Sequence, residues 1–178
     1  LGNLHAELTT WHGARRDVIA PAQLLRMEGT NLVMDGEPVL TGDGVSTPQL
    51  QHTTWESFDD GVSGKLGIPR AYLRRMKQEQ PELYAANINT WLAGDERTFL
   101  VRSLTQDPTG GSDLPIARAL LTDSYRVIDN LDVLMASLEG ISTLGLTPQI
   151  SADLSPDRMV VRVVVPEIAE LAPELLKG

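Results

Sequence analysis

The stretch Thr54-Trp-Glu-Ser-Phe58-Asp-Asp-Gly-Val62-Ser-Gly-Lys-Leu66-Gly67-Ile-Pro69-Arg-Ala-Tyr72-Leu73-Arg-Arg-Met76-Lys77 decides how the chain is read. Trp55, Phe58, Val62 and Leu66 recur at three- and four-residue steps, which is helical spacing. Gly67 ends that helix, and Pro69 suits the first turn of the next, whose apolar side is Tyr72, Leu73 and Met76. Pro81 opens a third helix carrying Leu83, Tyr84, Ile88, Trp91 and Leu92, with Gly94 after it. The helical centre therefore spans about Thr53 to Ala93.

Strand signals lie on both sides of this centre. Upstream, Leu4 to Trp11 is a short helical stretch, Asp17-Val-Ile-Ala-Pro21 is β-branched and closed by proline, and Asn31-Leu-Val-Met34 runs into the turn signal Asp35-Gly36. Glu37 to Leu50 is rich in glycine and proline and reads as a loop. Downstream, Thr98-Phe-Leu-Val-Arg-Ser-Leu104 reads as a strand, Gln106 to Pro115 as a loop, and Ile116 to Leu121 as a strand with Arg118 opposite Ala117 and Ala119. Asp129 is a candidate N-cap for a helix through Leu138. Leu146 to Ile150 and Met159 to Val165 read as a strand pair, and Pro166 to Leu176 as a final amphipathic helix. No internal repeat is present. This order predicts an α+β fold, an antiparallel sheet of short strands packed against a helical cluster. The 178 residues suit a single domain, 1–178. The chain begins at Leu1 rather than Met and ends inside a helical pattern, so it is expected to be the N-terminal part of a longer polypeptide.

Composition narrows the chemistry. There are no cysteines, which excludes disulfides, thiolate metal sites and cysteine nucleophiles. No run of eighteen apolar residues occurs and no signal peptide is visible, so a cytoplasmic chain without a membrane partner is expected. His5, His12 and His52 show no metal spacing and read as exposed or incidental. Nucleophile-elbow, phosphate-loop and dinucleotide-loop patterns are all absent. Asp59-Asp60 could hold a cation, but adjacent carboxylates on a helix point about 100° apart and read as solvated surface. The residues thus point to no catalytic site, no metal and no cofactor, and the chain is read as a non-enzyme.

Charge carries the remaining signal. The net charge is −9, which repels nucleic acid unless a local basic patch intervenes. Lys65, Arg70, Arg74, Arg75 and Lys77 form such a patch with no acid among them, leaving −14 on the rest of the chain. Arg70, Arg74 and Lys77 fall at helical steps on one face and could track phosphates. The same face can equally be an ordinary solvated surface paired with Asp59, Asp60 or Glu79. Tyr125 beside Arg126 could stack a base and hold a phosphate, and Arg102 and Arg118, on the strands flanking the loop, could join that surface. The alternative is a core tyrosine with a salt-bridged arginine.

Three segments carry a family resemblance. They are Leu66-Gly-Ile-Pro-Arg-Ala-Tyr-Leu-Arg-Arg75, Ala86-Asn-Ile-Asn-Thr-Trp-Leu92 and Ala119-Leu-Leu-Thr-Asp-Ser-Tyr-Arg-Val-Ile-Asp-Asn-Leu-Asp-Val-Leu134. With the ending, Met159-Val-Val-Arg-Val-Val-Val-Pro-Glu167 to Gly178, the chain resembles the phage/plasmid-like proteins of unknown function common in actinobacteria and their mobile elements. The resemblance covers nearly the whole chain. Ser124 stands where the family pattern leads one to expect arginine, which removes one cation from the candidate surface. The family usually continues with further strands and implies a bacterial host cytoplasm. A more distant likeness to phage single-strand annealing proteins implies single-stranded DNA as partner and a homo-oligomer. The expected function is a single-stranded DNA-binding or annealing accessory protein in recombination or replication. The alternative is a non-enzymatic interaction or assembly protein that meets a host protein, in one version to counter host defence.

Overall fold

The computed structural model describes residues 2–166 apart from 37, 38, 43, 47, 144, 146, 147, 156 and 157. The fold is α+β. The chain divides into two compact units, Ala14–Tyr125 and the pair of segments Leu1–Gly13 with Arg126–Gly178. The first is called the central unit here and the second the terminal unit.

The central unit is built on six strands: β1 (Arg15–Pro21), β2 (Arg26–Glu28), β3 (Asn31–Asp35), β6 (Gln49–Thr54), β7 (Thr98–Leu104) and β8 (Ile116–Thr122). Their order across the sheet is β1-β7-β8-β6-β3-β2. Neighbours are antiparallel except β6 and β8, which run parallel through Thr53 and Thr54. The two edge strands, β1 and β2, are joined in sequence by a 3-10 turn, Ala22–Leu24. A separate ribbon, β4 (Val39–Thr41) with β5 (Gly44–Ser46), and the start of β6 occupy the stretch that glycine and proline content marks as loop.

Helices α2 (Glu56–Leu66), α3 (Arg70–Glu79) and α4 (Pro81–Ala93) cover one sheet face. Their breaks fall where the sequence puts them. Gly67 closes α2 in the left-handed conformation, φ 69°, Pro69 caps α3, and Pro81 begins α4. The helical centre starts slightly later than expected, because Thr53 and Thr54 end β6 and pair with Ile116 and Ala117. The core holds Phe58, Val62, Leu73, Met76, Tyr84, Ile88 and Leu92 from the helices against Leu32, Phe99, Val101, Ala117 and Leu120 from the sheet. Tyr72, Leu83 and Trp91, which helical spacing places with the apolar side, are instead exposed. α2 lies so close to β8 that a Cβ on Gly61 would sit 2.5 Å from the Leu120 carbonyl oxygen.

β8 carries a bulge. Arg102 pairs with Ala119 but its neighbour Ser103 pairs with Ala117, so Arg118 is the extra residue. Ala117 and Ala119 therefore lie on opposite faces, and the simple alternation that sets Arg118 against both of them does not hold.

The terminal unit packs α1 (Gly2–Gly13) and α5 (Asn130–Thr143) with the antiparallel pair β9 (Gln149–Leu154) and β10 (Met159–Val164) around Leu4, Leu8 and Leu134. α5 starts just after Asp129 as expected but runs on to Thr143. The first strand of the pair runs from Gln149, and Leu146 and Thr147, where the sequence suggests its start, lie outside the described residues. The helix expected from Pro166 to Leu176 lies, beyond Pro166, outside the described residues.

Candidate functional site

The basic helix and the helix before it form one charged surface. α3 displays Arg70, Arg74 and Lys77 toward α2, which displays Glu56, Asp59 and Asp60. Together with Gln78 these side chains line a cavity of about 180 Å³. Arg70 Nε lies 2.5 Å from Asp60 Oδ1, and its Nη2 lies 3.4 Å from Glu56 Oε1. Arg74 pairs with the same Glu56 carboxylate. Arg75 donates Nε to Glu79 Oε2 at 2.8 Å, one turn along α3. That bond raises the Arg75 guanidinium above its usual value.

Lys77 departs furthest from its expected role. Its ammonium donates to Asp59 Oδ2 at 2.7 Å, to Thr54 Oγ1 at 2.7 Å and to the Thr54 carbonyl at 3.2 Å. Those bonds use all three ammonium protons. Asp59 is buried, not solvated surface as its place beside Asp60 suggests, and its other oxygen accepts the Tyr84 hydroxyl at 2.6 Å. Burial, and then the Asp59 charge, pushes the Tyr84 hydroxyl well above its ordinary value. The cluster Thr54, Asp59, Lys77, Tyr84 is a closed hydrogen-bonded network fixing α2, α3 and α4 to the end of β6. Lys77 lies on the same helix as Arg70 and Arg74 but reaches inward, not along phosphates.

The other candidate residues are scattered. Lys65 is half-buried at the end of α2, and its carbonyl accepts Arg97 Nη2 at 2.8 Å. Its ammonium has no carboxylate partner among the described residues. It lines a shallow groove with Leu66, Trp91 and the turn Gly94 to Arg97. Arg102 is buried and pairs with Asp17 at 3.2 Å, which withdraws it from any ligand surface. Arg118 sits at the bulge, where its carbonyl accepts the Ser57 hydroxyl at 2.6 Å. Tyr125 is 47% exposed, so the core-tyrosine alternative does not hold. It is the last residue of the central unit, and the exposed Arg126 opens the second segment of the terminal unit.

Sequence reading missed a second feature of the central unit, a cleft of about 700 Å³ beside β1. Arg15 to Ile19 line one side, Met34, Asp35, Gly36, Leu50 and His52 the other, and Ser103 of β7 also lines it. His52 is 4% exposed, whereas the sequence reads it as exposed or incidental, and among the described residues no side chain bonds its Nδ1. Burial lowers its basicity, and a contact with the Leu50 backbone opposes this in part. Only the alternation of β6, with His52 opposite the buried Leu32, could have signalled it.

Among the described residues no group of three His, Cys, Asp or Glu side chains is placed to hold a metal ion, and no helix is long and apolar enough to cross a membrane. Comparison with protein-family models, with curated proteins and with solved structures finds no match for the chain.

Proposed function

We propose that the chain is a non-enzymatic interaction protein of a mobile element that binds another protein rather than single-stranded DNA. One observation carries this reading: the cations of the basic helix are already matched by carboxylates on the same surface. Arg70, Arg74, Arg75 and Lys77 pair with Asp60, Glu56, Glu79 and Asp59 in that order. A phosphate approaching that surface meets a nearly neutral mosaic and would have to displace a carboxylate from each guanidinium. Counterion release, which drives non-specific binding to nucleic acid, needs unneutralised cations. Beside these matched charges the central unit exposes large apolar side chains, Tyr72 on α3 and Leu83 and Trp91 on α4. Aromatic side chains of this kind anchor protein interfaces. The net charge of −9 favours a partner with a basic face. The mobile-element part of the proposal, and a host protein as the partner, rest on the family resemblance.

A second reading keeps single-stranded DNA as the ligand. It is favoured by Lys65 and Arg126, which have no carboxylate partner among the described residues, and by the exposed ring of Tyr125. Anisotropy of a labelled single-stranded oligonucleotide at low ionic strength separates the two. No saturable binding is expected. Binding that weakens steeply with salt and is lost in a Lys65→Glu, Arg126→Glu variant would overturn the protein-binding reading in favour of DNA. Co-purification of a host protein from nuclease-treated extract, lost in Trp91→Ala, would support it.

A further inference from the structure

The free edge of β1 can be read from its pairing with β7. Thr105 N–H donates to the Ala14 carbonyl at 2.8 Å, and Ala22 N–H donates to the Arg97 carbonyl at 2.9 Å. Those two bonds bracket the ladder in one register, so residues 14, 16, 18, 20 and 22 direct their amides at β7. Asp17 and Ile19 then direct N–H and C=O the other way, where β1 has no sheet neighbour among the described residues. The cleft lies along this edge. It is lined by all of Arg15 to Ile19 and by Ser103 of β7, which pairs with Arg16. Ile19, 61% exposed, lines it together with Met34, Leu50 and the buried His52.

We propose that this cleft binds an extended segment of a partner polypeptide, which adds to the sheet as a strand against β1. The inference rests on the reading of the chain as an interaction protein and adds a second surface to the exposed Tyr72, Leu83 and Trp91. The chemistry selects the occupant. Alternating donors and acceptors on Asp17 and Ile19 are matched by another extended backbone, and the apolar wall of Met34 and Leu50 suits a side chain on every second residue of the guest. A second copy of this chain fits poorly. Antiparallel pairing of two β1 strands centred on Asp17 sets two carboxylates opposite each other. Pairing centred on Val18 or Ile19 sets Pro21, which has no N–H, opposite a residue that needs a donor.

The test is selection of a displayed library of random short peptides on the full chain, followed by anisotropy of an enriched peptide made synthetically with a fluorophore. Enriched sequences should show apolar residues at alternate positions and bind saturably. Ile19→Pro, which removes one edge donor, should weaken binding about tenfold, and Ile19→Ala, which keeps the donor, should weaken it less. Should circular dichroism show Ile19→Pro unfolded, Leu50→Lys on the opposite wall gives the same readout without touching the edge. No enrichment overturns the proposal. Enriched peptides indifferent to Ile19→Pro and Leu50→Lys overturn this site while leaving the interaction reading standing. Concentration-dependent dimerisation of the free chain, abolished by Ile19→Pro, overturns the partner peptide in favour of a second copy.

Discussion

The α2–α3 surface and the β1 cleft are opposite solutions to the same accounting of polar groups. On the helices, conspicuous charges are met: Lys77 satisfies Asp59 and Thr54, and the arginines sit on Glu56, Asp60 and Glu79. At the cleft, inconspicuous groups are left unmet among the described residues: the outward amides of Asp17 and Ile19. Binding capacity follows unmet valence, not charge density. A satisfied charge cluster holds a fold together, whereas an open edge beside a cavity invites a guest.

The largest effect that could break this contrast is at Lys77. If its role is internal, Lys77→Met strands the buried Asp59 carboxylate and should cost about 2–4 kcal/mol, discounted for the partial exposure of the lysine. A urea midpoint checks this, and adding Asp59→Leu should recover much of the loss. A Lys77→Met chain as stable as the parent would return Lys77 to the surface.

Next comes the packing under the charged helices. Gly61→Ala puts a methyl against the Leu120 backbone and should cost about 1–3 kcal/mol. That corresponds to a Tm lower by roughly 3–10 °C in a thermal melt.

A smaller effect sharpens the cleft side. The folded chain holds His52 below its ordinary basicity, so the unfolded chain binds the proton at higher pH. The contribution of His52 is fully present above the unfolded value, about 6.5, and is lost as pH falls from there through the lowered folded value. Denaturation series across that range should show the decline, and His52→Gln should flatten it. Smallest of all, Arg75→Ala removes only an exposed pair and should leave the urea midpoint unchanged within error.

Legibility in the sequence tracked how local each determinant is. Gly67, Pro69 and Pro81 punctuate three helices by their own backbone preferences, and all three breaks stand where they are read. β6 was hidden because its first residues follow a Gly- and Pro-rich run, while its last ones pair with Ile116 and Ala117, some sixty positions later. The basic stretch was visible as charge. Its partners were visible only as an alternative, since nothing in the spacing says that Lys77 reaches Asp59 rather than solvent. The cleft left no local mark at all. It exists because edge strand β1 ends beside β3 and β6, a relation between segments far apart in the chain.

The bulge at Arg118 has a consequence for how this strand can change over generations. Counting by twos from Leu120 predicts Arg118 and Ile116 as its companions, yet Leu120 shares its face with Ala117. The alternation slips phase once, at Arg118. Loss of that single codon would leave an unbroken alternation, with Ala119 and Ala117 as ordinary neighbours opposite Arg102 and Ser103. Loss of a codon beyond Ala119 would turn the residues between it and the bulge inside out. β8 therefore tolerates a deletion at the one position where its length exceeds that of its partner.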